Sequence, residues 1–230
     1  MPNHTPKFPT ASSALEILEL LKTTPAEASI FLDVDDTIIT PQSVTFRKPP
    51  YNQMIDRIKA NKNNYDNFEE IISNWRLQRK VMLIDEEWVQ VLNTLKNDYS
   101  VYAITQINTG QSGNIDSVED WRYKELKSLG IEFSGNEKLT NSGSTKKDDA
   151  VFYKGIFITG NHSKSGTLAK FSKDLQANFI VFVDDRKDHL KDVKEYCEKN
   201  KIGFLGICLM GSRIYQVNLI QNLPNFKNNI

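Results

Sequence analysis

The sequence predicts an α/β protein built on a doubly wound parallel sheet. Three observations carry that expectation. Short apolar runs alternate with stretches of helical periodicity along most of the chain. Two of those runs, Ser29–Leu32 and residues 179–183, end in clusters of aspartate, and the carboxyl ends of strands are where open α/β sheets hold their ligands. At 230 residues the chain is long enough for one such domain with a modest insertion.

The elements follow in order. Ser13 and Glu16 have capping-box spacing, and Leu15, Leu18 and Leu21 recur at helical intervals, so a helix is expected over 13–22. Thr23, Thr24 and Pro25 form a loop before the first buried strand, Ser29–Leu32. From 41 to 84 the character changes. Lys48, Pro49 and Pro50 break structure, and Met54, Ile55 and Ile58, then Phe68, Ile71, Ile72 and Trp75, return at helical spacing. This segment reads as a small helical insertion into a core formed by 1–40 and 85–230.

Asp85, Glu86 and Glu87 favour a helix start, and Trp88, Val89, Val91, Leu92 and Leu95 supply its apolar face. Residues 100–105 read as a second buried strand, 118–129 as a helix closed by Gly130, and the Gly-, Ser- and Asn-rich 134–149 as an exposed loop. A strand or hairpin broken at Lys154 and Gly155 spans 150–159. Helices over about 165–176 and 188–199 flank the third strand, 179–183, and 202–209 forms a fourth. The Asn-rich tail beyond Pro224 reads as loose.

Composition narrows the function classes. Hydrophobic residues make up 39% and charged residues 25%, a globular balance. The 29 basic and 29 acidic side chains cancel, so no nucleic-acid partner and no polybasic membrane surface is expected. No apolar run approaches the length of a membrane span, and residues 1–10 lack a signal-peptide pattern. The expected location is cytoplasmic, with secretion by a non-classical route left open. Cys197 and Cys208 read as a helix residue and a core residue, neither bridged nor nucleophilic.

The chemistry concentrates at the strand ends. Asp33 and Asp35 alternate on an extended segment, so both carboxylates are able to face one site. Close carboxylates repel unless a cation sits between them or one keeps a proton. Asp184 and Asp185 bring more negative charge from a second strand end. Such a set suits a hard divalent ion, and Mg²⁺ needs only one or two protein carboxylates beside phosphate and water.

In this arrangement the chain resembles the haloacid dehalogenase-like (HAD) superfamily, across residues 29 to about 209. Four signatures occur in that family's order: Asp33, Asp35 and Thr37 after an apolar run; Thr105 closing a buried strand; a lysine at a helix start; and Asp184 and Asp185 after another buried strand, with Asp188 following. The lysine motif departs from pattern, because Ser165 stands where the family has glycine and Gly166 comes one place later. Ser remains compatible with a helix start. Lys164 is therefore preferred for that role over Lys170, which lies inside the helix.

The resemblance implies a three-layer α/β/α HAD-like (Rossmann-like) core with a small helical cap. It implies a Mg²⁺-dependent phosphatase acting through an aspartyl-phosphate on an unidentified phosphorylated substrate, as in bacterial branches of the superfamily without an assigned substrate. Asp33 is the expected nucleophile. Asp35 is the expected acid and base, its pKa raised by neighbouring anions. Thr105, Gln106 and Lys164 would bind the phosphoryl oxygens. Asp33, the backbone carbonyl of Asp35 and Asp184 would hold Mg²⁺, with Asp185 or Asp188 acting through water or positioning Lys164. Thr37 would serve the turn. An acid at position 35 points to phosphate chemistry rather than dehalogenation. Two alternatives stay open: phosphotransfer to an acceptor other than water, and a catalytically silent HAD-fold binding or effector protein.

Several residues are expected to be bystanders. Asp36, where many relatives have glycine, reads as solvated. His4, His162 and His189 are scattered, and His162 reads as a loop residue. Trp75, Arg76, Arg79 and Lys80 read as an amphipathic helix with a solvated basic face, in preference to the lining of a substrate entrance. Trp121 and Arg122 are read the same way.

Overall fold

A computed structural model describes residues 7–47, 53–139 and 148–210. The chain opens with a two-residue strand, β1 (Thr10–Ala11), and helix α1 (Ala14–Leu20). Ser13 caps α1 through the Glu16 amide, but the Glu16 carboxylate turns back to the amide and hydroxyl of Ser12, so the box is offset by one residue. Strands β2 (Ser29–Leu32) and β3 (Ile39–Pro41) follow, then helices α2 (Gln53–Ala60) and α3 (Phe68–Gln78), and strand β4 (Val81–Leu83). The antiparallel pair β3–β4 brackets the helical segment expected over 41–84.

The second half runs α4 (Trp88–Asp98), β5 (Ser100–Thr105), α5 (Val118–Lys127), β6 (Val151–Tyr153) and β7 (Ile156–Ile158). It closes with α6 (Lys164–Lys170), α7 (Ser172–Leu175), β8 (Phe179–Asp184), α8 (Lys187–Asn200) and β9 (Gly203–Leu209). Lys154 and Gly155 form the β6–β7 turn, both with positive φ (49° and 85°), which is the geometry a two-residue hairpin demands. The expected exposed loop over 134–149 is only partly so. Leu139 is fully buried, and 140–147 lie outside the described residues. Residues 48–50 and the tail beyond Pro224 also fall outside them.

Seven strands form one sheet in the order β1-β9-β8-β2-β5-β7-β6, parallel except for the β6 edge. The buried strands alternate between two cores, as period-two side chains must. Ile30, Leu32, Val101, Ala103, Val181 and Val183 face helices α1, α4 and α5. Phe31, Tyr102, Ile104, Ile180 and Phe182 face α6, α7 and α8. The fold is therefore a three-layer α/β/α sandwich. On the second face the Phe157 ring lies 4.7 to 5.6 Å from the rings of Phe31, Tyr102, Phe152 and Phe171.

Sheet order also places the site. From β2 the chain builds outward through β5 to β7, then crosses to β8 and β9 on the other side. The order reverses between β2 and β8, and such a switch point opens a crevice at the carboxyl ends of the strands. Leu32 is in register with Val183 and Ala103, so Asp33 and Asp184 emerge side by side. Among the described residues, no helix is long and apolar enough to cross a membrane.

Candidate active site

Asp33 continues β2 by one residue, its amide donating to the Val183 carbonyl at 2.9 Å. The chain then folds into a tight turn, with the Val34 carbonyl accepting from the amides of Ile38 and Ile39 at 2.9 and 3.0 Å. Asp36 makes the turn possible. Its φ is +64°, a left-handed conformation that aspartate tolerates better than most residues. It is buried, and its carboxylate accepts from the Thr40 hydroxyl at 3.2 Å, so the expectation that it is solvated does not hold. Trp88 at the start of α4 is fully buried and donates its ring N–H to the Thr37 carbonyl at 3.1 Å, fixing the turn against the core. Thr37 donates to Asp33 Oδ2 at 3.2 Å, the local role expected of it.

Lys164 is the centre of the charge arrangement. It opens α6, whose cap is Ser163 rather than the Ser165 of the altered motif. Its side chain is only 1% exposed, and its ammonium donates to Asp33 Oδ1 at 2.5 Å and Asp184 Oδ2 at 2.6 Å. Lys170 instead reaches the Ala150 carbonyl (2.6 Å) and Asp149 (2.9 Å), away from this cluster. One cation thus serves two buried carboxylates. Asp184 has further help: His189 lies 3.0 Å from Oδ2, and the Arg186 amide donates to Oδ1 at 2.8 Å.

That asymmetry sets the charges. Burial drives the Asp33 carboxyl up to about 7 against the pull of Lys164, with Asp184 and Asp35 adding to the rise. Burial also penalises Asp184, but Lys164 and His189 outweigh it and hold its carboxyl below the usual range. For Lys164 itself, the two carboxylates more than offset burial, and its ammonium is held more tightly than usual. Asp33, Asp184 and the buried Asp185 bring carboxylate oxygens within 4.8 Å of one another, a set able to hold a metal ion. All the donors are hard oxygens, which suits Mg²⁺.

The other expected residues distribute less tightly. Thr105 ends β5, buried, one strand across from Asp33, and its carbonyl accepts from Thr159 at 3.1 Å. Gln106 follows it and is exposed. Asp188 does not join the cluster: its carboxylate is 65% exposed and pairs with Arg186 two residues before it. Lys164 is positioned by Asp33 and Asp184, not by Asp188. His162 pairs with Asp149 at 2.8 Å. Cys197 and Cys208 are buried and unbridged, and burial pushes the Cys197 thiol up to about 12.

Asp35 departs most from expectation. It is gripped by two arginines. Arg79, the residue closing α3, donates to Oδ1 at 2.8 Å, and Arg122 of α5 donates to Oδ2 at 2.8 Å. Glu125 Oε2 accepts from both guanidiniums, at 3.2 and 2.6 Å. The Trp121 ring centroid lies 5.0 Å from Arg122 and 5.9 Å from Arg79. Burial works against an Asp35 charge, but Arg122 and Arg79 overwhelm it and hold the carboxyl well below the usual range. The raised pKa therefore falls on Asp33, not on Asp35. Arg76, three residues before Arg79, donates to Asn108 Oδ1 at 3.0 Å. Burial lowers its pKa, and the like charge of Arg122 adds to that.

Arg79 and Arg122 are thus not a solvated basic face; Arg122 is 1% exposed. The sequence held one local sign of this. Arg122 lies midway between the buried Val118 and Leu126 at helical spacing, and Arg76 lies four residues after the buried Ile72. A charge within a buried stripe calls for a partner.

Residues 10–226 match the family described as "Protein of unknown function (DUF2608)", and the chain belongs to that family. It is 28% identical over 213 residues to "Uncharacterized protein RP296" of Rickettsia prowazekii (strain Madrid E), covering 89% of this chain and 77% of that protein. Two solved structures of the HAD domain of effector protein Lem4 (lpg1101) from Legionella pneumophila, one an inactive mutant, are distantly similar. Each aligns at 12% identity and a TM-score of 0.37, over 85% of this chain and 95% or 94% of the Lem4 domain.

Proposed function

We propose that the protein is a HAD-type, Mg²⁺-dependent phosphate-monoester hydrolase. The observation that carries the reading is the buried Asp33–Lys164–Asp184 cluster at the switch point, set on three separate elements and beside Asp185. Residues 41–84 are the cap of this enzyme. Asp33, Asp184 and Asp185 would hold the metal, which when bound supplies positive charge to the phosphoryl oxygens.

In this reading an Asp33 oxygen attacks phosphorus and the bond to the leaving oxygen breaks, giving an aspartyl-phosphate. Lys164 and Thr105 steady the phosphoryl oxygens, where charge spreads in the transition state. Asp35 protonates the leaving oxygen and later takes a proton from the water that attacks phosphorus, as the bond to the Asp33 oxygen breaks and phosphate leaves. A carboxylate shared by two guanidiniums carries no proton, so Arg79 and Arg122 must first be drawn off Asp35. The same clamp favours a second reading, a protein that binds a phosphorylated ligand without turning it over.

Phosphate release from an aryl phosphate separates the two. Wild-type protein with Mg²⁺ should turn it over, and chelation or Asp33→Asn should stop it. Equal rates in Asp33→Asn, or turnover independent of divalent metal, would sink the hydrolase assignment. Binding of the ester without release of phosphate selects the second reading.

A further inference from the structure

We infer that Arg76, Arg79 and Arg122 form a second anion subsite, for a carboxylate or phosphate carried on the leaving-group side of the substrate. The inference rests on the phosphatase reading for which side that is, since Asp35 is the residue that would meet the leaving oxygen. The geometry of the arginines stands on its own.

Three guanidiniums converge beside Asp35 from two parts of the fold. Arg76 and Arg79 come from α3, within the segment bracketed by β3 and β4, and Arg122 comes from α5 of the main layer. Asp35 and Glu125 meet only part of their hydrogen-bonding capacity. Among the described residues, Arg76 Nη1, Arg79 Nε and Arg122 Nε are buried donors without an acceptor, and Glu125 Oε1 beside them is a buried acceptor without a donor. Among the described residues, the Arg76 side chain has only the neutral Asn108 as a hydrogen-bond partner. Glu69, the other carboxylate whose charge acts on Arg76, accepts from Ser112 at 3.2 Å.

One leftover acceptor cannot answer three leftover charged donors, and each unpaired buried donor forfeits its hydration. A further oxyanion would meet them. Guanidinium forks match the geometry of both carboxylate and phosphate, and Trp121 flanks two of the three. An anion here also bridges α3 and α5, so it would tie the helical segment to the core when substrate is bound.

The test compares ethyl phosphate, phosphoglycolate and ethanediol bisphosphate as substrates of the full chain with Mg²⁺ at fixed ionic strength. Both doubly anionic esters should exceed ethyl phosphate in kcat/KM by about tenfold or more, equivalent to about 1.4 kcal/mol. Which of the two leads tells carboxylate from phosphate recognition. Arg76→Gln keeps a polar side chain but removes the charge and should reduce the preference to about threefold or less, whereas Arg76→Lys, retaining charge, should keep most of it. A structural role for Arg76 would change the melting temperature but not this ratio.

In parallel, calorimetry with chelator present should show pyrophosphate binding about tenfold tighter than inorganic phosphate, a difference that Arg76→Gln removes. Equal binding of the two anions together with equal turnover of the three esters overturns the subsite and leaves the phosphatase standing. Discrimination between the anions with no ester hydrolysed leaves the subsite standing and removes the phosphatase. A preference undiminished in Arg76→Gln overturns the assignment of these arginines.

Discussion

Replacing Lys164 by methionine removes the ammonium that bridges Asp33 and Asp184 but keeps much of the buried stem. Both carboxylates then sit in the core without their shared cation. Removing one partner of a buried ion pair destabilises by about 3–5 kcal/mol. Two features decide where in that range the loss falls. Asp184 keeps His189 and the Arg186 amide. Asp33, whose carboxyl is already pushed up to about 7, escapes by taking a proton when the solution is acidic enough. The loss should therefore be about 3 kcal/mol near pH 6 and approach about 5 kcal/mol near pH 8, where Asp33, without the pull of Lys164, must hold a proton that its unfolded form gives up. For a chain of this length each kcal/mol moves Tm by about 2–4 °C, so the expected drop is about 6–12 °C at the lower pH and about 10–20 °C at the higher. Scanning calorimetry at both pH values measures it. Mg²⁺ should restore more Tm to Lys164→Met than it adds to the wild type, because it returns the missing positive charge to the same carboxylates. A variant melting within about 2 °C of wild type at pH 8, with no added response to Mg²⁺, would refute the charge balance derived for this cluster.

Asp33 should titrate near 7 in metal-free protein by carboxyl carbon NMR, and Mg²⁺ should move that midpoint down; a midpoint near 4 without metal would contradict the burial argument. A raised folded pKa means that Asp33 alone makes stability fall as pH rises from about 4 to about 7, and Asp35, held low, makes stability fall as pH drops below about 4. Urea midpoints should show the first fall in the wild type and not in Asp33→Asn; identical pH profiles would contradict it. Arg122→Met leaves Asp35 and Glu125 to Arg79 alone and should lower stability by about 3 kcal/mol in urea melts, with a change under about 1 kcal/mol counting against the clamp. Gly113 has φ +52°, and a Cβ there would lie 2.3 Å from the Glu69 carbonyl and 2.4 Å from Ser73 Oγ on α3. Gly113→Ala should therefore push α3 off the loop that carries Asn108, at a cost of about 1–3 kcal/mol, and expose α3 to limited proteolysis. Unchanged protection of α3 would contradict that docking.

The strands were legible because parallel buried strands leave continuous apolar runs. The runs at 29–32 and 100–105 match β2 and β5 to the residue, and 179–183 falls one short because Asp184 still pairs with Cys208 in the ladder. The buried acids at the strand ends were legible for the related reason that aspartate does not belong in a strand without cause. β1 was not legible: two residues carry no periodicity, and Thr10 and Ala11 become a strand only because β9 offers them an edge. Asp36 and Leu139 were misplaced because both look like loop residues locally, and tertiary contacts bury them.

The arginines were missed for a different reason. A basic residue on a helix reads as surface, although Arg122 lies within the buried stripe of α5 and Arg76 and Arg79 are half-buried at the end of α3. Val118, Arg122 and Leu126 form one line along α5, and Ile72, Arg76 and Arg79 form one along α3. A guanidinium in such a line is stable only against an acid from elsewhere in the chain. The acids that could answer were few. Asp33 and Asp184 share Lys164, and Asp188 pairs with Arg186 on the surface. Asp35 lies two residues from the acid that Lys164 holds and takes its cations from these arginines instead. A buried arginine position on α5 and an aspartate at a strand end answer each other. That is why the residue expected to carry a proton is one the arginines hold ionised. In the proposed reaction, a competing anion at the arginines is what would free Asp35, so the identity of the substrate and the protonation of Asp35 become one question.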